Sequence, residues 1–239
     1  MIGAHLKKLQ LRTAIGPEEE QVIRGMIAEV RNVGADEFVV RAGQPLKESL
    51  LLLDGWLMRS KDLPSGERQV MELHIAGDFA DLHGYTLKTL DHDLVSVSPC
   101  QIGAVPHEKL TEITEKYPHL ARAYWLMTNI DASITREMAL SLGQRPAISR
   151  MAHLFCELHA RLGVVGLARG NSFDFPLTQR ELGHCLGLTV VHVNRTLQQL
   201  RRRGLVEAEN RQITILDRRG LESVAEFDPA YLYIKPGLM

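Results

Sequence analysis

The sequence contains TQRELGHCLGLTVVHVNRTLQQLRRRG at Thr178–Gly204, which predicts two short helices joined by a tight turn. Thr178 and Glu181 have the spacing of a capping box, in which a hydroxyl and a carboxylate each accept a backbone N–H at a helix start. Gly183 leaves room for a second helix to cross closely, Gly187 supplies the turn, and Thr189 can cap the second helix. The segment therefore predicts a helix-turn-helix, whose second helix can lie in a DNA major groove.

The two faces of the second helix differ in chemistry. Val193, Leu197 and Leu200 share its predicted buried face. On the opposite face Arg195 can pair with guanine, and Asn194 or Gln198 can pair with adenine. Val191 on the same face can contact a thymine methyl. The predicted DNA-binding residues are Thr178, Thr189, Val191, His192, Asn194, Arg195, Gln198, Arg202 and Arg211.

Further arginines follow the helix. Arg201, Arg202 and Arg203 come one turn later, where phosphates would pass, and LVEAENRQITIL predicts a two-stranded wing with Arg211 near its tip. An arginine run alone often only complements the dipole at a helix end. The net charge of the whole chain is −1, however, so this positive charge is a local footprint for double-stranded DNA.

Composition limits the class of protein. With 239 residues, 45% hydrophobic and 24% charged, the chain has the balance of a globular protein of one or two domains. No apolar run is long enough to span a bilayer, and the N-terminus lacks the pattern of a secretory signal. Cys100, Cys156 and Cys185 are far apart, which disfavours a disulfide framework or zinc finger. We therefore expect a cytoplasmic protein with no membrane partner.

The sequence pattern of the N-terminal half changes from helical to β-rich near residue 38. Up to about Val33 we predict helix, with Ile23, Met26, Ile27 and Val30 at helical spacing. From Phe38 to about Val105, short β-rich runs are separated by turn formers. The glycines that punctuate them, 12, 11 and 11 residues apart, are Gly43, Gly55, Gly66 and Gly77. This spacing predicts an antiparallel barrel or jelly-roll unit, either a plain scaffold or one that holds a small molecule.

Helices return at Pro106–Lys116, Pro118–Gly143 and Ala147–Gly163. The long middle helix has a heptad seam, predicted as the dimerisation face: Leu120, Ala123, Met127, Ile130 and Ile134. The barrel of the same chain could cover it. We favour a twin helix from a second chain, because Tyr124–Leu126 make the helix apolar on more than one side. The predicted domains are a sensor at 1–117, the dimerisation helix at 118–143 and a DNA-binding domain at 144–239.

The whole chain resembles the Crp/Fnr superfamily of transcription regulators, most specifically in LTQRELGHCLGLTVVHVNRTLQQLRRRGLV. LGLT and Arg195 resemble its Fnr-like branch. The resemblance implies an α+β fold: an N-terminal antiparallel β-roll sensor like a cyclic-nucleotide-binding domain, a long dimerisation helix and a C-terminal winged helix-turn-helix. It also implies a homodimer on a palindromic site that controls RNA polymerase in response to a signal in the β-roll.

Two positions of the second helix depart from the family. Val191 stands where the family commonly has glutamate, and Asn194 where it has serine or glycine. A carboxylate accepts a hydrogen bond from cytosine and valine cannot. We therefore expect a half-site that differs from the usual TTGA type, with Arg195 still contacting a guanine.

The sensor half also departs from the family. It lacks the N-terminal cysteine cluster of Fnr-type oxygen sensors, and Cys100 alone cannot hold a cluster that needs four ligands. The Arg-Ser pair that grips a cyclic phosphate aligns near Leu90-Asp91, where an acid repels phosphate. The sequence thus disfavours cyclic AMP and an iron–sulfur cluster. Should a small-molecule effector exist, the candidate residues are Asp78, Phe79, Leu82 and His83.

Three histidines, His74, His83 and His92, recur every nine residues. Imidazole can bind metal or haem, but ligand spacing is usually shorter, so we interpret them as core or surface residues. No metal ligand or cofactor is predicted; haem is not excluded, and a haem- or metal-dependent redox or gas sensor is the alternative. A barrel enzyme would need a second histidine beside Asp91–Asp93, so we predict no catalysis. A barrel protein whose helix-turn-helix binds protein rather than DNA is the third option.

Overall fold

The computed structural model describes residues 2–234. Residue 1 of the predicted sensor domain and residues 235–239 of the predicted DNA-binding domain lie outside the described residues. The chain begins with helices α1 (Gly3–Gln10) and α2 (Pro17–Arg24). Three glutamates in the first turn of α2 favour its start, because the helix dipole is positive there.

The prediction of helix is right for much of the stretch up to Arg24 but wrong from there to Val33. Helix α2 ends at Arg24, and Glu29–Val33 forms strand β1, which pairs antiparallel with β7 (Cys100–Pro106). Ile23 and Met26 are buried, as expected, but Val30 is 39% exposed. The helical spacing of these residues is real, yet pairing with a neighbouring strand decides the backbone, since tertiary context overrides local propensity.

Two antiparallel sheets form the predicted β-roll. The first has the order β1-β7-β3 and the second the order β2-β6-β4-β5. Their remaining strands are β2 (Phe38–Val40), β3 (Glu48–Asp54), β4 (Trp56–Asp62), β5 (Arg68–Ile75) and β6 (Asp93–Ser96). The four spaced glycines all have positive φ, between 78° and 92°, and so mark turns or loop bends as predicted.

The core of the β-roll lies between its sheets. Strands β3 and β4 are buried along most of their length, with Leu51, Leu52 and Leu57 fully buried. A short helix, α3 (Gly84–Leu87), lies in the connection between β5 and β6. The expected antiparallel β-roll is thus confirmed.

Three helices follow the roll, close to their predicted bounds: α4 (His107–Lys116), α5 (Pro118–Gln144) and α6 (Ala147–Val165). Arg145 and Pro146 have extended ψ values of 136° and 155°, which separate α5 from α6. The chain therefore leaves the helical conformation between α5 and α6.

The C-terminal part contains more elements than the sequence predicts. The expected helix-turn-helix and wing are α7 (Gln179–Leu186), α8 (Val190–Arg202), β10 (Val206–Glu209) and β11 (Gln212–Ile215). The additional elements are β8 (Ala168–Arg169), β9 (Ser172–Asp174), α9 (Arg218–Ala225) and a 3₁₀ helix at Pro229–Leu232. The wing is the outer half of a sheet with the order β10-β11-β9-β8.

The sensor sheet and the DNA-binding part share one hydrophobic core. Side chains of β4 and β5, including Trp56 and Ile75, pack in the same cluster as Phe155 of α6 and Leu182 of α7. The ring of Trp56 meets that of Phe175 edge to face at 6.5 Å. Apolar burial of this kind is favourable, by about 25 cal/mol per Å², so this core packs the helix-turn-helix against strands β4 and β5.

Candidate nucleic-acid interface

Hydroxyl caps begin both helices of the motif. Thr178 Oγ1 accepts the backbone N–H of Glu181 at 3.2 Å, and the Glu181 carboxylate accepts the backbone N–H of Thr178 at 2.6 Å. Thr189 Oγ1 accepts the backbone N–H of His192 at 3.3 Å. The predicted capping box and second cap are confirmed, and each cap typically contributes about 1 kcal/mol.

The turn between the helices requires its two glycines. Gly187 ends α7 in the left-handed region with φ 62°, where a side chain is strained. A Cβ on Gly183 would lie 2.5 Å from the carbonyl oxygen of Leu188 and 3.7 Å from Cγ2 of Val193. Gly183 therefore allows a close approach, but its nearest neighbour is the backbone of the turn and not the second helix that the sequence predicted.

Helix α8 separates its two faces as predicted. Val193 and Leu200 are fully buried, Leu197 is half-buried, and Thr196, which was not predicted there, joins the buried side. On the other face Val191 is 79% exposed, the largest exposure among the large hydrophobic side chains of the described residues. Asn194, Arg195 and Gln198 are exposed beside it.

The predicted DNA-binding residues lie on the surface of the motif and wing. All are exposed except His192, which is half-buried. The Asn194 amide donates to Gln179 Oε1 at 2.7 Å, so the first helix orients one of the predicted base contacts. The wing turn places Asn210 and Arg211 at positive φ, 51° and 57°, as expected for a tight hairpin.

The four predicted effector residues come together. Asp78, Phe79, Leu82 and His83 line one cavity of about 40 Å³ between the roll and α5. This volume accommodates little more than water molecules. A larger open groove of about 480 Å³ lies beside it and shares His83.

Asp78 is already engaged inside the protein. Its carboxylate accepts hydrogen bonds from Lys8 of α1 and, at 3.1 Å, from Arg161 of α6. Although burial alone would raise it, the charges of Lys8 and Arg161 hold the pKa of Asp78 well below its ordinary value. Asp78 thus joins the N-terminal helix and the DNA-binding part to the sensor.

A second buried ion network, which the sequence did not predict, links the sensor to α5. Arg59 of β4 donates to Glu72 of β5 at 3.1 Å and to Asp131 of α5 at 3.1 Å. Arg161 donates to Glu157 at 3.0 Å, and its Nη2 lies 4.0 Å from Glu72. Strand alternation gives no signal for Arg59, because both faces of β4 are buried.

The three spaced histidines do not form one site. The rings of His83 and His92 lie 5.4 Å apart, whereas His74 is fully buried beside Glu72. Asp91 accepts hydrogen bonds from Lys61 at 2.9 Å and His92 at 2.8 Å.

The face predicted for dimerisation is covered by the chain itself, which corrects that prediction. Leu120 and Ala123 are buried with Leu51 and Val105 of the three-stranded sheet. Further along α5, Ile130 and Ile134 pack with Leu232 of the 3₁₀ helix, and Met127 is half-buried. The exposed face of α5 carries Arg122, Trp125, Asn129, Ala132, Arg136, Ala139 and Leu140. The side chain of Trp125 is 70% exposed.

The cysteines do not fit an iron–sulfur cluster. Cys100, Cys156 and Cys185 are buried on three different elements, β7, α6 and α7. Burial raises the pKa of Cys100 to about 11 and that of Cys156 to about 12, so both stay protonated thiols. Such clusters are held by four thiolates or a thiolate–histidine set.

Two family models match the chain. The description "Cyclic nucleotide-binding domain" matches residues 30–117, and "Crp-like helix-turn-helix domain" matches residues 149–224. A protein of Rhizobium leguminosarum bv. viciae, described as a probable transcriptional activator, is 30% identical over 172 residues, which cover 72% of this chain and 70% of that relative. The chain belongs to the Crp/Fnr family.

A second relative and a solved structure support the same family. The transcriptional activator protein anr of Pseudomonas aeruginosa is 25% identical over 89% of this chain and 86% of its own length. The structure of FixK2 from Bradyrhizobium japonicum superposes with a TM-score of 0.73, at 23% identity, covering 83% of this chain and 97% of FixK2. This chain is therefore a DNA-binding transcription regulator of the Crp/Fnr type, a family of regulators rather than enzymes. Within residues 2–234, the structure has no helix of the length and apolarity that a membrane crossing requires.

Proposed function

We propose that this Crp/Fnr regulator binds a two-fold symmetric DNA site as a homodimer, with α8 of each subunit in a major groove. Arg195 would pair with a guanine, while Asn194 and Gln198 contact neighbouring bases. The observation that supports this most is the exposed polar face of α8, with Arg202 at its end and Arg211 on the wing. These flanking arginines suit phosphates, which fix position rather than sequence.

The second subunit would cover the exposed face of α5. Trp125, Ala132 and Ala139 recur every seven residues on that face, the period of two helices that pack side by side. The small alanines allow a close approach, and Trp125 supplies apolar area that is otherwise in water. Two-fold dimers are the commonest protein assembly, and two-fold symmetry matches a palindromic site.

The regulator would act on RNA polymerase in the cytoplasm and catalyse no reaction. Its signal would reach α8 through α5, since Arg59 joins the sensor sheet to Asp131 and Arg161 joins it to α6. A cyclic nucleotide fits poorly, because Asp78 is engaged by two cations and Asp91 would repel a phosphate. Haem is tested by the absorbance spectrum of the purified protein, where a Soret band would support it.

Selection from a randomised pool of duplexes tests the proposed DNA binding. We expect an enriched palindrome whose half-sites are about 10 base pairs apart, centre to centre, or a multiple of that distance. Each half-site should contain a guanine whose replacement weakens binding by the wild type but not by Arg195→Ala. Absence of any enriched sequence, or binding that ignores symmetry, would contradict the proposal.

A further inference from the structure

Three side chains with metal-ligating atoms meet at the junction of the sensor sheet and α5. Glu72 and His74 are two residues apart on β5 and so point to the same face of the strand. Asp131 approaches them from α5. One ligand atom from each of the three residues lies within 4.8 Å of the other two.

The two ring nitrogens of His74 lack hydrogen-bond partners within the described residues. The residue is 0% exposed, and neither ring nitrogen has a hydrogen-bond partner among the described residues. Its Nδ1 lies 4.0 Å from Glu72 Oε1, too far for a hydrogen bond. Buried polar groups are nearly always paired, so an imidazole without a partner beside two carboxylates calls for a bound ion or an ordered water.

Arg59 holds both carboxylates in place. Arg59 binds Glu72 through Oε2 and Asp131 through Oδ2. Glu72 Oε1 remains on the His74 side, and Arg161, which is 4.0 Å from it, is bound instead to Asp78 and Glu157. Arg59 thus resembles the outer hydrogen-bonding groups that orient carboxylate ligands.

Charge and space both favour a cation here. Two carboxylates, those of Glu72 and Asp131, meet here and share one arginine partner, Arg59. The cavity of about 40 Å³ that borders Glu72 and Asp131 has room for water. One imidazole, two carboxylates and water form a ligand set suited to Zn²⁺, Co²⁺, Mn²⁺ or Fe²⁺.

We propose that Glu72, His74 and Asp131 bind one divalent first-row transition-metal ion per chain, with water completing its coordination. The ion joins strand β5 to α5, the helix on which the proposed dimer depends. Its regulatory consequence, that metal loading changes DNA affinity, rests on the proposed function. The binding site itself does not.

Co²⁺ titration of the untagged full-length protein, stripped with a chelator, tests the site. The visible absorption of bound Co²⁺ should saturate at one ion per chain, and Zn²⁺ should displace it. Asp131→Asn should weaken Co²⁺ binding at least about tenfold, because even the loss of an outer-shell partner typically costs 10- to 100-fold. His92→Ala is the matched control, since His92 is paired with Asp91 and should leave the titration unchanged.

His74→Leu separates metal binding from a structural role. Because the imidazole is buried without partners, the metal-free variant should melt at the wild-type temperature or above it, yet lose Co²⁺ binding. No stoichiometric Co²⁺ binding by the wild type, unchanged binding in His74→Leu and Asp131→Asn, or loss of binding in His92→Ala would overturn the site. DNA selection is carried out separately, on the metal-free protein. A failed Co²⁺ titration would therefore leave the proposed DNA binding standing, and a failed DNA selection would leave the proposed metal site standing.

Discussion

Arginine side chains have opposite surroundings in the two halves of the molecule. Arg195 is exposed on α8, whereas Arg161 is 7% exposed and binds Asp78, Glu157 and the Leu73 carbonyl oxygen. The guanidinium is suited to both settings, since it remains charged when buried and offers a fork of donors to carboxylates or bases. Only the exposed arginines could be assigned a role from the sequence, because α8 has a distinct polar face and α6 does not.

Replacing Arg161 should weaken the contact between the sensor part and the DNA-binding part and so lower the free energy of unfolding. Arg161→Met leaves the buried carboxylates of Asp78 and Glu157 short of a cation, and breaking a buried pair on one side costs about 3–5 kcal/mol. Urea unfolding should show this loss in the free energy of unfolding. Arg219→Met, at an exposed arginine, should change it by less than about 0.5 kcal/mol; equal effects would contradict the buried network.

Asp81 should make stability fall as the pH rises. Burial raises its pKa from 3.8 to about 7, although the carboxylate accepts the Leu50 N–H at 2.6 Å. Between these two values the unfolded chain releases a proton that the folded chain keeps, so the free energy of unfolding decreases with increasing pH and levels off above about 7.

Asp81→Asn should remove this contribution. Urea unfolding at pH 5 and pH 8 measures this: the free energy of unfolding of the wild type minus that of the variant should decrease from pH 5 to pH 8. Histidines with lowered pKa values titrate in both proteins and therefore cancel in the comparison. Parallel pH profiles would show that Asp81 is ionised in the fold.

At the scale of the element, periodicity predicts where helices and strands lie better than it predicts what covers them. The bounds of α4 to α8 and of the wing follow from prolines, caps and glycines in the sequence. The heptad on α5 is equally clear, but a heptad does not say whether its partner is another chain or the chain's own sheet. Leu120 and Ile134 are covered from within, so the sequence-based choice of dimer face is wrong.

The same limit explains the missed strands and networks. Helical spacing through Val30 gives way because β1 gains hydrogen bonds to β7, a partner about seventy residues away. Strands β8 and β9 have two and three residues and depend on pairing with the wing. Glu72 and His74 are two residues apart on β5, but only the fold brings Asp131 of α5 to them, so no local pattern could identify all three residues of the candidate metal site.

Helix α5 should dimerise through its exposed face. Trp125→Glu places a charge in the centre of the proposed contact, so sedimentation should show a monomer at concentrations where the wild type is a dimer. Leu87→Glu is the matched control, because Leu87 is also exposed, at 62%, but lies on α3. A Trp125→Glu dimer as tight as the wild type would place the interface elsewhere.

At the scale of the whole molecule, one hydrophobic core and two ion networks join sensor, α5 and helix-turn-helix. Gln69 of β5 also donates to the His184 carbonyl oxygen of α7 at 2.8 Å. The shared core and this hydrogen bond thus connect strand β5 directly to α7. This continuity is the physical basis for the proposed transmission of a signal to the DNA-binding surface.

The most direct test of the DNA-binding account compares two arginine variants on two duplexes. Fluorescence anisotropy would measure the affinity of wild type, Arg195→Ala and Arg202→Ala for the selected palindrome and for a shuffled duplex, over a series of salt concentrations. We predict that Arg195→Ala loses about 1–3 kcal/mol on the palindrome only, whereas Arg202→Ala weakens both duplexes and lowers the salt slope by about 1. Equal losses on both duplexes for both variants would contradict a base contact by Arg195.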